Sequence, residues 1–291
     1  MTPTEQAAVL VEALPYLQKF RGEIFVIKYG GSAMENEELV GRVLRDVVFL
    51  EAAGINPVLV HGGGKAITRA MKAAGVEARF IDGLRVTDEA QIELIDRTLA
   101  SEIAPGIVRQ IEEFGGHAAA LSGKEVLRAK KMAYRTAKGE DVDLGFVGDV
   151  TEVDLPRVLA LVNREIIPVI SPVARGENGA VYNINADLAA GEVAKALKAR
   201  KLIYLTDVNG VLLDPAIPSS TIPTLTPTSI ADLKDKGIIA GGMLPKVDSA
   251  LEALASGVGQ IHFLDGRIPH ALLLETFTTA GIGTEIHADK V

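Results

Sequence analysis

Ile24-Phe25-Val26-Ile27 runs directly into Lys28-Tyr29-Gly30-Gly31-Ser32, and Val58-Leu59-Val60 runs into His61-Gly62-Gly63-Gly64-Lys65. Unbroken Val/Ile/Leu/Phe runs this short suit parallel strands buried on both faces. Glycines at the carboxyl end of such a strand let backbone N–H groups approach an anion without a Cβ in the way, and a lysine adds a compact charge. In open α/β sheets, ligands sit at those strand ends. One glycine cluster alone could simply terminate a strand. Two on one sheet, each beside a lysine, predict a polyphosphate and a second anionic ligand brought together.

The 291 residues suffice for one large domain or for two lobes sharing a sheet. Apolar residues make up 48% of the chain, aromatics 4%, and tryptophan is absent, which fits an α/β core packed with Ala, Val, Ile and Leu. A net charge of −8 leaves no basic field for nucleic acid or an anionic membrane, so the lysines beside the glycines are local devices. With no cysteine there are no disulfides, no thiol catalysis and no cysteine metal sites, as fits a reducing cytosol. No apolar stretch approaches the ~18 residues of a membrane helix. The opening Thr2-Pro3-Thr4-Glu5 lacks the basic start of a signal peptide, and a cytoplasmic location is expected.

Thr2, Pro3 and Glu5 form a capping box with proline at the first helical position, so residues 1–20 read as a separate N-terminal helix. Ala7, Leu10, Leu14 and Leu17 give it a narrow apolar stripe, for its own domain or for another subunit, and Pro15 is expected to kink or end it. Val40, Val43, Leu44, Val47 and Val48 mark the helix joining the first two strands in a βαβ unit. A helix follows over Lys65–Ala74. Asp82-Gly83, inside Arg79–Thr87, predicts a hairpin flap near the second glycine loop. Asp88 caps a helix carrying Ile92, Ile95 and Leu99, and Pro105 opens another to Phe114.

Residues 124–153 read as antiparallel strands and Ile166–Ile170 as a core strand, before a hairpin turn at Glu177-Asn178-Gly179. Asn183-Ile184-Asn185-Ala186-Asp187 leads into a helix holding Leu188, Val193, Ala194 and Leu197. The boundary between an N-terminal lobe (21–185) and a C-terminal lobe (186–291) falls in this region. Leu202–Leu205 is a strand ending in Thr206-Asp207-Val208-Asn209-Gly210, and residues 215–227 form a surface loop. Gly241-Gly242-Met243-Leu244-Pro245-Lys246 opens a helix to Ser256, and Ile261–Leu264 is expected to be the last core strand.

Several familiar patterns are absent. There is no P-loop and no Gly-x-Ser-x-Gly elbow, and Ile67 stands where a dinucleotide fingerprint needs glycine. His61, His117, His262, His270 and His287 lack metal-ligand spacing. What remains is a phosphoryl-transfer set, a chemistry that needs positioning and charge neutralisation more than a nucleophilic enzyme group. Lys28 beside Gly30-Gly31 can hold phosphoryl oxygens, and Lys246 after Gly241-Gly242 can neutralise the leaving phosphate. Asp187 is either a helix cap or a partner for these lysines, and the residues alone leave both readings open. Arg85 on the flap is either an exposed strand arginine or a bidentate clamp on a carboxylate. Asn183 and Asn185 share a face in an extended segment, as turn residues or as polar ligand contacts.

Taken in order, these motifs resemble the amino acid kinase superfamily and, within it, the acetylglutamate kinases. The matching pieces are Lys28-Tyr29-Gly30-Gly31-Ser32-Ala33-Met34, His61-Gly62-Gly63-Gly64, Asp82-Gly83-Leu84-Arg85-Val86-Thr87, Asn183 to Asp187, Leu205 to Val208, and Gly241 to Lys246, spanning nearly the whole chain. The resemblance implies a three-layer αβα sandwich on a mainly parallel sheet. It implies ATP, carried with Mg²⁺, phosphorylating the γ-carboxylate of N-acetyl-L-glutamate in arginine biosynthesis. Lys28 and Lys246 become transition-state lysines oriented by Asp187, with few or no direct protein ligands for the metal. Gly30, Gly31 and Gly64 hold phosphoryl oxygens; Gly63, Gly64, Arg85, Asn183 and Asn185 grip the amino acid. Thr206, Asp207, Asn209 and Gly210, with Gly241, Gly242 and Met243, contact the nucleotide. The N-terminal helix resembles that of arginine-inhibited family members, which pair dimers into hexamers, with His270 and Gly283 in the accompanying effector region. Some members also bind a PII-type regulator. A related kinase for a different carboxylate, or a non-catalytic arginine sensor on the same fold, are the rival readings.

Overall fold

The computed structural model describes residues 2–34, 37–136, 139–214, 216–241, 243–279 and 281–289. Helix α1 (Pro3–Phe20) starts at the predicted capping box: Thr2 Oγ1 accepts the Glu5 N–H, and the Glu5 carboxylate accepts the Thr2 N–H at 2.7 Å. Of the two outcomes expected of Pro15, ending the helix does not occur: it lies inside α1. Pro15 lies on the exposed side, where water can take the carbonyl it frees, while Tyr16, Leu17 and Phe20 tie the last turn to the core. Strand β1 (Ile24–Tyr29), a 3-10 turn at Gly31–Met34, α2 (Glu37–Ala52) and β2 (Asn56–His61) form the expected parallel unit. Val43, Leu44 and Val47 of α2 are buried as its periodicity predicts.

Helix α3 (Gly64–Ala73) precedes the flap, β3 (Arg79–Ile81) and β4 (Leu84–Val86), which pair antiparallel. Asp82 and Gly83 have φ of 48° and 83°, the two left-handed residues a tight hairpin turn requires. Asp88 caps α4 (Glu89–Thr98), but the helix is not separated from α5 (Ala104–Glu113). A π-helical turn over Leu99–Ile103 joins them, and Pro105, having no N–H, leaves no donor unmatched where the widened turn closes.

Strand β5 (Ala118–Leu121) and the one-turn α6 (Gly123–Val126) lead into β6 (Leu127–Lys131), β7 (Tyr134–Arg135), β8 (Asp141–Val142) and β9 (Gly148–Val153). β6 pairs with β9 and β7 with β8, antiparallel as predicted. Next come α7 (Leu155–Val162), β10 (Ile167–Ile170), β11 (Val173–Arg175), β12 (Val181–Asn183), α8 (Ala186–Leu197) and β13 (Lys201–Thr206). The expected surface loop instead contains a 3-10 turn at Pro218–Ser220 and β14 (Thr224–Leu225), and its Pro227 opens α9 (Pro227–Asp235) behind a Thr226 cap. After α10 (Met243–Ala255) and β15 (Gln260–Asp265), α11 (Ala271–Phe277) leads to β16 (Thr284–Ile286). β15 is therefore not the last core strand: Ile286 of β16 is fully buried.

One sheet of eight strands, ordered β14-β16-β15-β13-β1-β2-β10-β5, carries the fold and is parallel except where β16 meets β15. Side chains alternate between its faces. Val26, Leu202 and Tyr204 point into one apolar cluster under α7–α10; Phe25, Ile27, Tyr29, Ile203 and Leu205 point into the other, under α2–α5 and α11. This is the three-layer αβα arrangement. β1 lies between β13 and β2, so the loops after all three open at one edge of the sheet.

Candidate active site

The two glycine loops touch. Gly62 N–H donates to the Tyr29 carbonyl at 2.6 Å. A Cβ on Gly30 would stand 2.9 Å from Lys28 Nζ, and one on Gly63 would stand 2.6 Å from Ile103 Cδ1 in the π turn. Buried Ile103 and Leu99 thus hold position 63 to glycine, whereas at Gly30 the near atom is the movable tip of Lys28. Gly63 is the N-cap of α3 and brings no side-chain cap, and the positive end of α3 borders the cavity that Gly62, Gly63 and Gly64 line. Gly31, at φ 66°, brings the first loop against the third: its Cβ would meet Asp207 Oδ1 at 2.9 Å.

At the start of α8, Asn185 is the cap, with Oδ1 accepting the N–H of Asp187 at 2.8 Å and of Leu188 at 3.2 Å. Asp187 is therefore not the cap, and its carboxylate is released for other work. Lys28 Nζ lies 3.2 Å from its Oδ1, and Lys246 Nζ hydrogen-bonds its Oδ2. Burial alone would raise the Asp187 carboxyl; the charges and hydrogen bonds of the two lysines outweigh it and hold the group below the ordinary carboxylate range. One carboxylate between two ammonium groups leaves a net positive charge beside a helix N-terminus, a setting for transferring phosphoryl oxygens.

Lys28 and Asp187 border a cavity of about 210 Å³ that Gly31, Gly63, Gly64, Arg85, Asn183 and Asn185 also line. Arg85 is buried, not exposed. Its Nη2 donates to the Gly64 carbonyl and to Thr68 Oγ1, both at 3.0 Å, and its guanidinium lies 4.5 Å from the Phe80 ring centre. Among the described residues no carboxylate pairs with it, so its charge is left for a ligand. Thr68, one turn beyond Gly64, was signalled only by that spacing. The apolar wall formed by Ile67, Phe80, Leu84, Val147, Pro172 and Ile184 was not legible, since its members come from six separate segments.

Residues 23–265 match the amino acid kinase family. The chain belongs to that family. It is 48% identical over 284 residues to the acetylglutamate kinase of Akkermansia muciniphila, covering 97% of this chain and 95% of that one. It is 49% identical over 289 residues to the acetylglutamate kinase of Heliobacterium modesticaldum, covering 97% and 98%. Among solved structures, N-acetylglutamate synthase from Neisseria gonorrhoeae, complexed with coenzyme A and N-acetyl-glutamate, superposes with a TM-score of 0.85 at 26% identity. That match covers 98% of this chain and 64% of the longer synthase. The same synthase complexed with coenzyme A and L-arginine superposes at 0.78, with 27% identity, covering 97% of this chain and 65% of that one.

In this amino acid kinase, the other sequence-predicted residues lie outside the cavity lining. Thr206 ends β13, and its hydroxyl donates to the Val208 carbonyl at 2.8 Å. Asn209 donates to Thr221 Oγ1 at 3.1 Å, tying the β13 loop to the segment before β14, and a Cβ on Gly210 would meet Thr284 Oγ1 of β16 at 2.4 Å. Gly241 is exposed with φ 54°, and Met243 packs beside the α10 core; Gly242 lies outside the described residues. His270 bonds Asp46 of α2 at 2.7 Å, and a Cβ on Gly283 would fall 2.1 Å from the Phe263 carbonyl. Ligand atoms of His262, Glu275 and Glu285 fall within 4.8 Å of one another, a grouping the scattered histidine spacing conceals.

Proposed function

We propose that this chain transfers the γ-phosphoryl group of ATP to the γ-carboxylate of N-acetyl-L-glutamate, giving N-acetylglutamyl 5-phosphate for arginine biosynthesis. The observation that carries this reading is the Lys28–Asp187–Lys246 cluster at the edge of a cavity holding an arginine without a carboxylate partner. A γ-carboxylate titrates near ~4.3, so it is already a nucleophile at neutral pH and no general base is needed. Its oxygen bonds to the γ-phosphorus as the bond to the ADP oxygen breaks. The obstacle is repulsion between two anions, which the two lysines and the N–H groups of Gly30, Gly31 and Gly64 offset. Asp187 holds both ammonium groups in place. Asp187 is engaged by both lysines, so Mg²⁺ would be carried by the phosphates of ATP, where it would supply further positive charge. Arg85 takes the α-carboxylate, Asn183 the acylamino group, and the apolar wall the acetyl methyl. Residues 21–185 serve as the amino-acid lobe and 186–291 as the ATP lobe, with the loops at Thr206–Gly210 and Gly241–Met243 on the nucleotide.

Feedback inhibition by arginine and assembly into hexamers complete the reading. The support is α1, whose Leu10 and Val11 are 70% and 67% exposed. Beneath its end, Lys201 lies 5.1 Å from the Phe20 ring centre, and the tail contributes Glu275, bonded to His262 at 2.8 Å. A buried carboxylate there suits a guanidinium.

The test traps acyl phosphate with hydroxylamine in Mg-ATP mixtures containing N-acetylglutamate, glutamate or aspartate, each with and without arginine. Product from N-acetylglutamate alone, suppressed by arginine, is expected. Product only from another acid would keep the chemistry and replace the substrate. No product from any acid, with arginine still binding, would favour a sensor.

A further inference from the structure

Thr87, the last residue of the flap motif, is fully buried and touches two cavity residues without lining the cavity itself. Its hydroxyl donates to the Arg85 carbonyl at 3.0 Å, and Asn183 Nδ2 lies 3.3 Å from Thr87 Oγ1. A hydroxyl has one proton. With that proton committed to Arg85, Thr87 Oγ1 can only accept from Asn183. The Asn183 amide is therefore fixed with its NH₂ toward Thr87, leaving Oδ1 as the acceptor it offers a ligand.

The backbone around Thr87 is held on both sides, which fixes where its hydroxyl stands relative to Asn183. Thr87 N–H donates to the Leu144 carbonyl at 2.9 Å, Phe146 N–H donates to the Thr87 carbonyl at 2.7 Å, and Asn183 N–H donates to the Phe146 carbonyl at 2.9 Å. Gly145, at φ 75°, permits this seam: a Cβ there would fall 2.1 Å from the Thr87 carbonyl oxygen. Flap, seam and Asn183 form one hydrogen-bonded unit, and burial of Thr87 denies its hydroxyl water as a substitute partner.

We propose that Thr87 is a positioning residue for the amino-acid subsite: its hydroxyl sets the Asn183 amide so that Oδ1 accepts the N–H of an N-acylated amino acid, and ties that amide to the strand bearing Arg85. The proposal rests on the reading that Arg85 and Asn183 grip the acid. An amide free to flip would turn its own NH₂ toward the ligand's N–H and lose that bond. Losing one such bond is worth about tenfold in apparent affinity.

The experiment measures kcat and both KM values for wild type, Thr87→Val, Thr87→Ser, Asn183→Ala, Arg85→Ala and the Thr87→Val/Asn183→Ala double variant. Thr87→Val keeps the volume and removes the hydroxyl; should it fail to fold, Thr87→Ala removes the same group. KM for N-acetylglutamate should rise about tenfold in Thr87→Val while kcat and KM for ATP move less than about twofold. Thr87→Ser should recover the wild-type value. The double variant should be no worse than Asn183→Ala, since both changes remove one interaction. Equal impairment of Thr87→Ser and Thr87→Val, multiplicative losses in the double variant, or a parallel rise in KM for ATP would each overturn the proposal. If Asn183→Ala and Arg85→Ala leave KM for N-acetylglutamate unchanged, the subsite reading itself fails. If they raise it and Thr87→Val does not, only the role of Thr87 fails.

Discussion

At Asp187, burial and neighbouring charge pull in opposite directions, and charge wins because two lysines converge on one carboxylate. Removing either ammonium should therefore harm transition-state charge balance more than ground-state binding. Lys28→Ala is expected to lower kcat by about 10²–10³ with little change in either KM; equal losses in kcat/KM and in binding would make Lys28 a binding group only. His61 illustrates a different residue-scale effect. It is fully buried with Nδ1 2.8 Å from the Gly62 carbonyl, and burial lowers its imidazole to about 4. The unfolded chain, with a value near ~6.5, takes up the proton first as pH falls, so stability drains away between about pH 6.5 and 4. In His61→Asn, the stability lost between pH 6.5 and 4.5, followed by urea unfolding, should shrink by about 2–3 kcal/mol. An unchanged loss would mean that His61 does not titrate in that window. Lys28, Asp187, Lys246 and Arg85 stood out in sequence because each sits beside a glycine pair or in a short motif. The cap at Asn185 and the bond from Asn183 to Thr87 did not, because they depend on which hydrogen bond each group has already made, the latter across 96 positions.

Among the elements, those carrying a complete local signature were legible: the capping box of α1, the stripe of α2 and the flap turn. Missed elements had a signature masked by composition or length. α9 lay in a Pro/Ser/Thr-rich stretch that hid its Thr226–Ser229 cap, β16 has three residues, and the π turn has the apolar spacing of an ordinary helix. For α1, the structure sharpens the test. Val9, Leu10, Val11 and Leu14 are all about half exposed or more, whereas Phe20 packs edge-on against Phe25 at 5.3 Å. A truncation should therefore stop before Tyr16, sparing the turn that completes the core. If α1 joins dimers as proposed, removing residues 1–15 should leave kcat near wild type, give a dimer by light scattering where the full chain gives a hexamer, and abolish inhibition by arginine. A truncated protein of unchanged mass and full arginine sensitivity would place both properties elsewhere.

For the whole molecule, the shared sheet decides how the two proposed lobes behave. β1, from the first half of the chain, pairs along most of its length with β13, from the second, and residues of both strands enter both apolar clusters. Two lobes joined by a flexible linker would unfold separately; two lobes that share a sheet should not. Ile95 of α4 and Ile230 of α9 are fully buried, one in each cluster and one in each lobe. Truncating either should cost about 2–5 kcal/mol by leaving a cavity. If the sheet couples the lobes, Ile95→Ala and Ile230→Ala will each lower the same single calorimetric transition in protein lacking residues 1–15, where subunit pairing through α1 contributes nothing. Two transitions, each moved by only one substitution, would instead show that the lobes fold independently. In that case the Lys28–Asp187–Lys246 cluster, which draws Lys28 from one lobe and the other two residues from the second, would depend on docking of the lobes and not on the sheet.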